Sequence, residues 1–254
     1  MLLVEDNPVT LKVCVDILEN MGCTVETATD GLRALEQHAA GKFALIFMDC
    51  MMPKMDGYEA TVEIRRREAS SNRRTPIVAL TADVTEGARE RCLAAGMDDY
   101  LAKPFSLDQM KVMLTTWLSP FVKGDRLALV PTLPLPNEPI DDRILDSLRQ
   151  LQREGRPDIV QQVINLFFKD AADLLKDLKE GAANKNAALL HHASHALKSA
   201  SANLGAMALS SRCKELEAMA RSGVVSDAAP IVVAILEDYR AVEIALSARL
   251  PKVA

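Results

Sequence analysis

The chain has 254 residues, 49% hydrophobic and 26% charged, with 30 Lys and Arg against 35 Asp and Glu for a formal net charge of −5. That length suits one large domain or two ordinary ones with a sizeable core, and the acidic balance argues against a nucleic-acid-binding surface. Five scattered cysteines without CxxC spacing exclude a disulfide framework and a zinc site, and no apolar run nears the ~18 residues that cross a bilayer.

The chain opens on the apolar run Leu2-Leu3-Val4, as a piece cut from a longer protein would, and continues into Glu5-Asp6-Asn7-Pro8. Helical periodicity over 9–21 ends at Gly22, alternation over 23–28 predicts a strand, and a helix over 32–40 ends at Gly41. The run over 43–48 reads as a buried parallel strand that empties into Asp49 and a Pro53-containing loop. A helix over 56–67, a strand over 76–80 ending in Thr81-Ala82, a helix over 86–95, a strand over 99–102 and a helix over 107–118 follow. Five βα units with short links predict a doubly wound, five-stranded parallel sheet over 1–119.

Prolines 120, 131, 134, 136 and 139 mark a semi-extended linker over 120–139. From 140 to 254 no strand signal appears. Helices are predicted from 141 or 142 to 152, from Pro157 to 180, over 185–203, from 205 to 221 and from 227 to 249, an antiparallel helical bundle.

Chemistry in an open α/β sheet collects at the carboxyl ends of its strands. There the first half presents Glu5, Asp6, Asp49, Thr81 and Lys103. Crowded carboxylates favour a hard divalent cation, for sparse oxygen donors Mg²⁺. Asp49 is then a nucleophile toward phosphorus, with Lys103 neutralising phosphoryl oxygens and Thr81 hydrogen-bonding one of them. Phosphatases of the haloacid dehalogenase type also use an Asp nucleophile but need a second Asp two residues on, where this chain has Met51.

These residues, with Tyr100, Lys103-Pro104 and the loop Met51-Met52-Pro53-Lys54-Met55-Asp56-Gly57, resemble the receiver domain of two-component response regulators over 1–118. The resemblance implies a flavodoxin-like sheet and phosphorylation at Asp49. It implies Mg²⁺ held by Asp6, Asp49 and the Met51 carbonyl, Glu5 completing the acidic set, a cis bond before Pro104, and a conformational switch made by Thr81 and Tyr100.

Over 189–204 the apolar residues 190, 193, 197, 200 and 204 share one helix face, and at ~100° per residue His195 falls opposite them. The imidazole is therefore expected to face solvent, beside Lys198, Ser199 and Ala202. His191 and His192 are the weaker acceptor candidates, and a metal at His191 and His195 lacks a third ligand. His38 reads as a surface-helix residue without a role. The run His195-Ala196-Leu197-Lys198-Ser199-Ala200-Ser201-Ala202-Asn203-Leu204-Gly205-Ala206 resembles the histidine phosphotransfer (HPt) motif, with Ser199 where many members have Gly. That implies phosphorylation at His195, with Lys198 steadying the phosphoryl group, in a four-helix-bundle domain over 140–254.

The two halves together look like the C-terminal part of a hybrid sensor histidine kinase. The expected function is phosphorelay signal transduction: phosphate reaches Asp49 from an upstream transmitter histidine, passes to His195, and leaves to the receiver of a separate response regulator. Phosphorylation at Asp49 is self-catalysed, and no ATP-binding kinase domain is read in these residues. The alternatives are reverse flow, with His195 feeding Asp49 as a phosphate sink, and a non-catalytic adaptor. Docking between receiver and HPt halves is expected within or between chains, in the cytoplasm or on the cytoplasmic part of a membrane-bound sensor kinase, without nucleic-acid or membrane contact by this chain.

Overall fold

The structure is a computed structural model describing residues 1–69, 73–81, 86–103, 105–118, 139–153 and 155–251. The chain divides into two compact units, Met1–Val130 and Pro131–Ala254. Ala82, Pro104 and all of the proline-rich stretch except Pro139 lie outside the described residues. No described helix is long and apolar enough to cross a membrane.

In the first unit β1 (Leu2–Val4), β2 (Glu26–Ala28), β3 (Ile46–Asp49), β4 (Ile77–Thr81) and β5 (Asp99–Ala102) pair in parallel in the order β2-β1-β3-β4-β5. Connecting parallel strands needs crossovers, supplied by α1 (Pro8–Asn20), α2 (Gly31–Ala40), α3 (Gly57–Glu68) and α4 (Glu86–Ala94), with α5 (Leu107–Leu118) last. The central strands β1, β3 and β4 are buried throughout, which is why they read as continuous apolar runs. One face is packed by Ala34 and Leu35 of α2, Ala60 and Ile64 of α3 and Cys92 of α4 against Leu2, Val4, Ile46, Met48, Ile77 and Ala79.

Two caps fix where the site-bearing loops end. Asn7 accepts from the Thr10 amide at 2.9 Å to start α1, and Asp56 forms a reciprocal capping box with Glu59 at α3. The residue after Asp56 must be glycine for a steric reason: a Cβ on Gly57 would lie 2.0 Å from the Asp49 carbonyl oxygen. Gly57→Ala is therefore expected to destabilise the first unit by about 1–3 kcal/mol through overpacking, read as a lower midpoint in thermal unfolding.

His38 is not the surface residue expected. It is 6% exposed at the end of α2, with Nε2 3.4 Å from both Thr75 Oγ1 and Glu68 Oε1. Glu68 is held in turn by Arg65, which also binds Asp98 at 2.7 Å and the Gly96 carbonyl at 2.9 Å. This network pins the ends of α2 and α3 to the starts of β4 and β5. Its members lie up to 60 residues apart, so helix periodicity carries no trace of it.

The second unit holds α6 (Asp142–Arg149), α7 (Ile159–Ala183), α8 (Ala187–Asn203), α9 (Met207–Arg221) and α10 (Ala228–Ser247). α7 packs on α8, α8 on α9, α9 on α10 and α10 back on α7, with α6 against α7. Pro157 precedes α7 rather than opening it: the Asp158 side chain accepts from the Gln161 amide and is the cap.

Candidate functional site

Pairing of Leu2–Val4 with Ile46–Met48 in register sets the residues beyond β1 beside the end of β3. Ligand-type oxygens of Glu5, Asp6 and Asp49 all lie within 4.8 Å of one another. Glu5 and Asp49 are each 1% exposed. Lys103, which follows β5, donates from Nζ to Glu5 Oε2 at 2.6 Å and to Asp49 Oδ2 at 2.7 Å. Thr81 is buried at the end of β4, where its carbonyl accepts from the Lys103 amide at 2.7 Å. The Cys50 amide reaches the Leu80 carbonyl at 3.1 Å, tying the ends of β3 and β4. Four strand ends thus converge, as the sequence reading requires.

Charge gives the cluster its character. With all three carboxylates ionised beside one ammonium, the cluster carries a charge of −2. Burial, then the charge of Asp49, pushes the Glu5 carboxyl well above its ordinary range. Burial alone would depress Lys103, yet Asp49 and Glu5 hold its ammonium well above the ordinary lysine value. An all-oxygen donor set with an unneutralised charge of −2 fits a hard divalent cation such as Mg²⁺.

The loop between β3 and α3 is fixed from both ends. The Met51 amide donates to Asp49 Oδ1 at 3.2 Å, and Lys54, in the left-handed region at φ 66°, reaches Asp30 Oδ2 at 2.6 Å. That ion pair joins the loop to the cap of α2, a link the sequence reading missed. Met51 is 37% exposed, and Tyr100 lies half-buried against the packed face that includes Cys50.

In the second unit the solvent-facing imidazole is overturned. His195 is 8% exposed, and every residue of α8 from Ala193 to Ala202 is buried. A helical wheel identifies the apolar face but not what covers the other one. Here α9 follows α8 through Gly205, at φ 79°, and brings Glu217 alongside the polar face. Glu217 Oε1 lies 2.7 Å from His195 Nδ1, and its other oxygen takes Lys198. Lys198 Nζ is also 3.4 Å from Nδ1. The shorter, charge-assisted contact places the ring proton on Nδ1 and leaves the lone pair on Nε2. His195 Nε2 is buried with no hydrogen-bond partner among the described residues, as is Ser199 Oγ one turn on. An orphaned buried nitrogen calls for a chemical explanation. His191 stacks on His195 with ring centroids 6.4 Å apart.

Glu217 is the partner of His195 and Lys198 that the sequence reading left without a role. Burial opposes its ionisation, but His195 and Lys198 together lower the carboxyl to about 2. A depressed folded value means its stabilisation is complete above the ordinary ~4.5 and is lost as pH falls through about 2. Between those limits Glu217→Gln is expected to flatten the acid dependence of second-unit unfolding, measured by circular dichroism at a series of pH values.

Residues 1–115 match the family model described as response regulator receiver domain, and residues 162–245 the one described as Hpt domain. The chain is similar to signal transduction histidine-protein kinase BarA of Shigella flexneri, 29% identical over 239 residues that make up 92% of this chain and 25% of that protein. It is similar to sensor protein GacS of Pseudomonas syringae pv. syringae, 30% identical over 224 residues, 86% of this chain and 24% of that protein. This chain thus spans about a quarter of the length of each. Among solved structures, the receiver domain of sensor histidine kinase PA1611 from Pseudomonas aeruginosa PAO1, described with a magnesium ion coordinated in its active site cleft, is 46% identical; the match covers 46% of this chain and 94% of that one with a TM-score of 0.43.

Proposed function

The chain is a response regulator receiver domain followed by an Hpt domain, and from that pairing we propose that Asp49 and His195 exchange one phosphoryl group. The function served is phosphorelay signal transduction. The observation that carries the site reading is a pair of poised nucleophiles: a carboxylate beside a buried ammonium, and an imidazole whose Nδ1 is tied to Glu217 while Nε2 has no partner.

In the loading step an Asp49 oxygen attacks the phosphorus of a phosphohistidine. The acyl phosphate P–O bond forms as the donor's P–N bond breaks, and the donor imidazole leaves and takes up a proton. Lys103 faces the charge that develops on the phosphoryl oxygens, and the Thr81 hydroxyl donates to one of them. Glu5, Asp6, Asp49 and the Met51 carbonyl would hold Mg²⁺, which neutralises phosphoryl charge when bound. In the second step Nε2 of His195 attacks the same phosphorus, the P–O bond breaks, and the Asp49 carboxylate is regenerated. Glu217 keeps the proton on Nδ1, and Lys198, the other cation held by Glu217, is the group that would steady the phosphoryl charge. Thr81 and Tyr100 serve as the switch that reports the state of Asp49. Because Nε2 is covered, transfer requires the ring to be uncovered before it reacts.

Flow from an upstream transmitter histidine to Asp49, then His195, then a separate response regulator fits a chain in which two acceptors follow one another. Acetyl phosphate with Mg²⁺ tests the assignment. Wild type is expected to carry hydroxylamine-sensitive phosphate at Asp49 and acid-labile phosphate at His195, whereas His195→Gln keeps the first and loses the second. Acid-labile phosphate that persists in His195→Gln would move the assignment to His191 or His192.

A further inference from the structure

Behind the acceptor strand lies a feature the relay does not use. Successive residues of a strand point to opposite faces, so the residue after Asp49 turns away from the carboxylate cluster. That residue is Cys50, packed with Met48, Ala79, Met97 and Cys92 in the hydrophobic face. Its Sγ lies 3.9 Å from Sγ of Cys92, and each residue is 1% exposed. The two thiols share a hydrogen bond, which lowers the Cys92 thiol to about 7. Cys14, Cys23 and Cys213 are also free thiols, and none of them has another sulfur beside it among the described contacts.

Both ends of this pair connect to the acceptor site. Cys50 is covalently joined to Asp49, its amide holds the Leu80 carbonyl, and its own carbonyl accepts from Gly57. Cys92 and Ala88, one turn apart, are the buried residues that seat α4, and α4 begins five residues after Thr81. A disulfide needs its sulfurs about 2.05 Å apart, so closing the pair shortens the Sγ–Sγ distance by nearly 2 Å, through side-chain rotation together with movement of Cys50 at the end of β3 and Cys92 on α4. Asp49 is the residue next to Cys50, and a displacement of about 1 Å at a reacting group is enough to slow a reaction.

We propose that Cys50 and Cys92 form a peroxide-sensitive dithiol whose closure to a disulfide suppresses phosphorylation at Asp49. The proposal rests on Asp49 being the acceptor. In the first step the Cys92 sulfur attacks hydrogen peroxide: an S–O bond forms, the O–O bond breaks, and the departing hydroxide takes the thiol proton as water. In the second the Cys50 sulfur displaces the hydroxyl from that sulfenic acid: the S–S bond forms, the S–O bond breaks, and a second water leaves. Two thiols lose two electrons in all, one peroxide gains them, and a dithiol reductant reverses the change.

The test treats the full chain with hydrogen peroxide, maps its thiols by peptide mass spectrometry, and follows Asp49 labelling from acetyl phosphate and Mg²⁺. Expected are a Cys50–Cys92 linked peptide, labelling at least about tenfold slower, and recovery with dithiothreitol. Cys92→Ser and Cys50→Ala each keep their labelling under peroxide. Oxidation at Cys23 with Cys50 and Cys92 still reduced overturns the dithiol, and a disulfide that leaves labelling unchanged overturns the coupling. A reduced chain that takes no label at Asp49 overturns the acceptor reading itself, while the mapped disulfide still decides the dithiol.

Discussion

Asp49→Asn is expected to remove all phosphoryl label that acetyl phosphate places on the chain, from both units, by at least about a thousandfold. The amide is close in shape to the carboxylate but offers no anionic oxygen to phosphorus. It also changes the charge of the cluster from −2 to −1, so divalent cation binding weakens with the chemistry. The fold should survive, because Lys103 keeps its 2.6 Å partner Glu5. Loss at His195 as well as at residue 49 is the informative part, since a small donor reaches the imidazole only through the aspartate in this scheme. The measurement is phosphopeptide mass spectrometry beside circular dichroism, which separates a silent site from an unfolded one. Label at His195 in the Asn variant would mean that the imidazole is loaded without the carboxylate.

Lys103→Ala is expected to have the second largest effect, and it acts on stability as well as rate. Glu5 and Asp49 are both buried against the Lys103 ammonium, whose own side chain is 5% exposed. Removing one partner of a buried ion pair costs about 3–5 kcal/mol, because the remaining charge stays out of water. Two carboxylates would be left here, so a proton or a divalent cation must replace the lysine. With chelator present the first unit should therefore unfold at a markedly lower temperature, and Mg²⁺ should raise that temperature more than it does in wild type. The pH dependence has a definite sign. Glu5 already has a raised folded value, so its contribution is complete below the ordinary ~4.5 and is lost as pH rises through that raised value. Loss of Lys103 raises it further, which makes the variant least handicapped in acid. Phosphorylation should fall at least about a hundredfold even where the variant is folded, because a preorganised positive charge on the phosphoryl oxygens is gone. A variant with wild-type unfolding in chelator would show that the lysine is not the cluster's counter-charge.

The architecture of the first unit is legible because its signals are local. Short apolar runs, each followed by a polar residue and then a helix-period segment, can only be a wound parallel sheet, and the carboxyl ends of its strands name the site. Glu5, Asp6, Asp49, Thr81 and Lys103 come together because strand register leaves them no other arrangement. Interactions that join distant segments are another matter. The His38–Glu68–Thr75 contact, the Lys54–Asp30 pair and the Cys50–Cys92 pair each depend on how helices sit across the sheet. The second unit makes the same point on one helix. Periodicity identified the apolar face of α8 and set His195 opposite it, but whether that opposite face meets water depends on α9. A carboxylate 22 residues downstream, at Glu217, turned an expected exposed ring into a buried, oriented one.

The central claim, that Asp49 and His195 exchange a single phosphoryl group, is tested most directly by a chase. Wild-type chain loaded from acetyl phosphate is freed of donor, divided, and incubated with Mg²⁺ or with chelator while acyl phosphate and phosphohistidine are followed separately. The expected result is a fall in acyl phosphate at Asp49 matched by a rise in phosphohistidine at His195, with Mg²⁺ and not with chelator. Acyl phosphate that decays only to inorganic phosphate, with His195 never labelled, would contradict it.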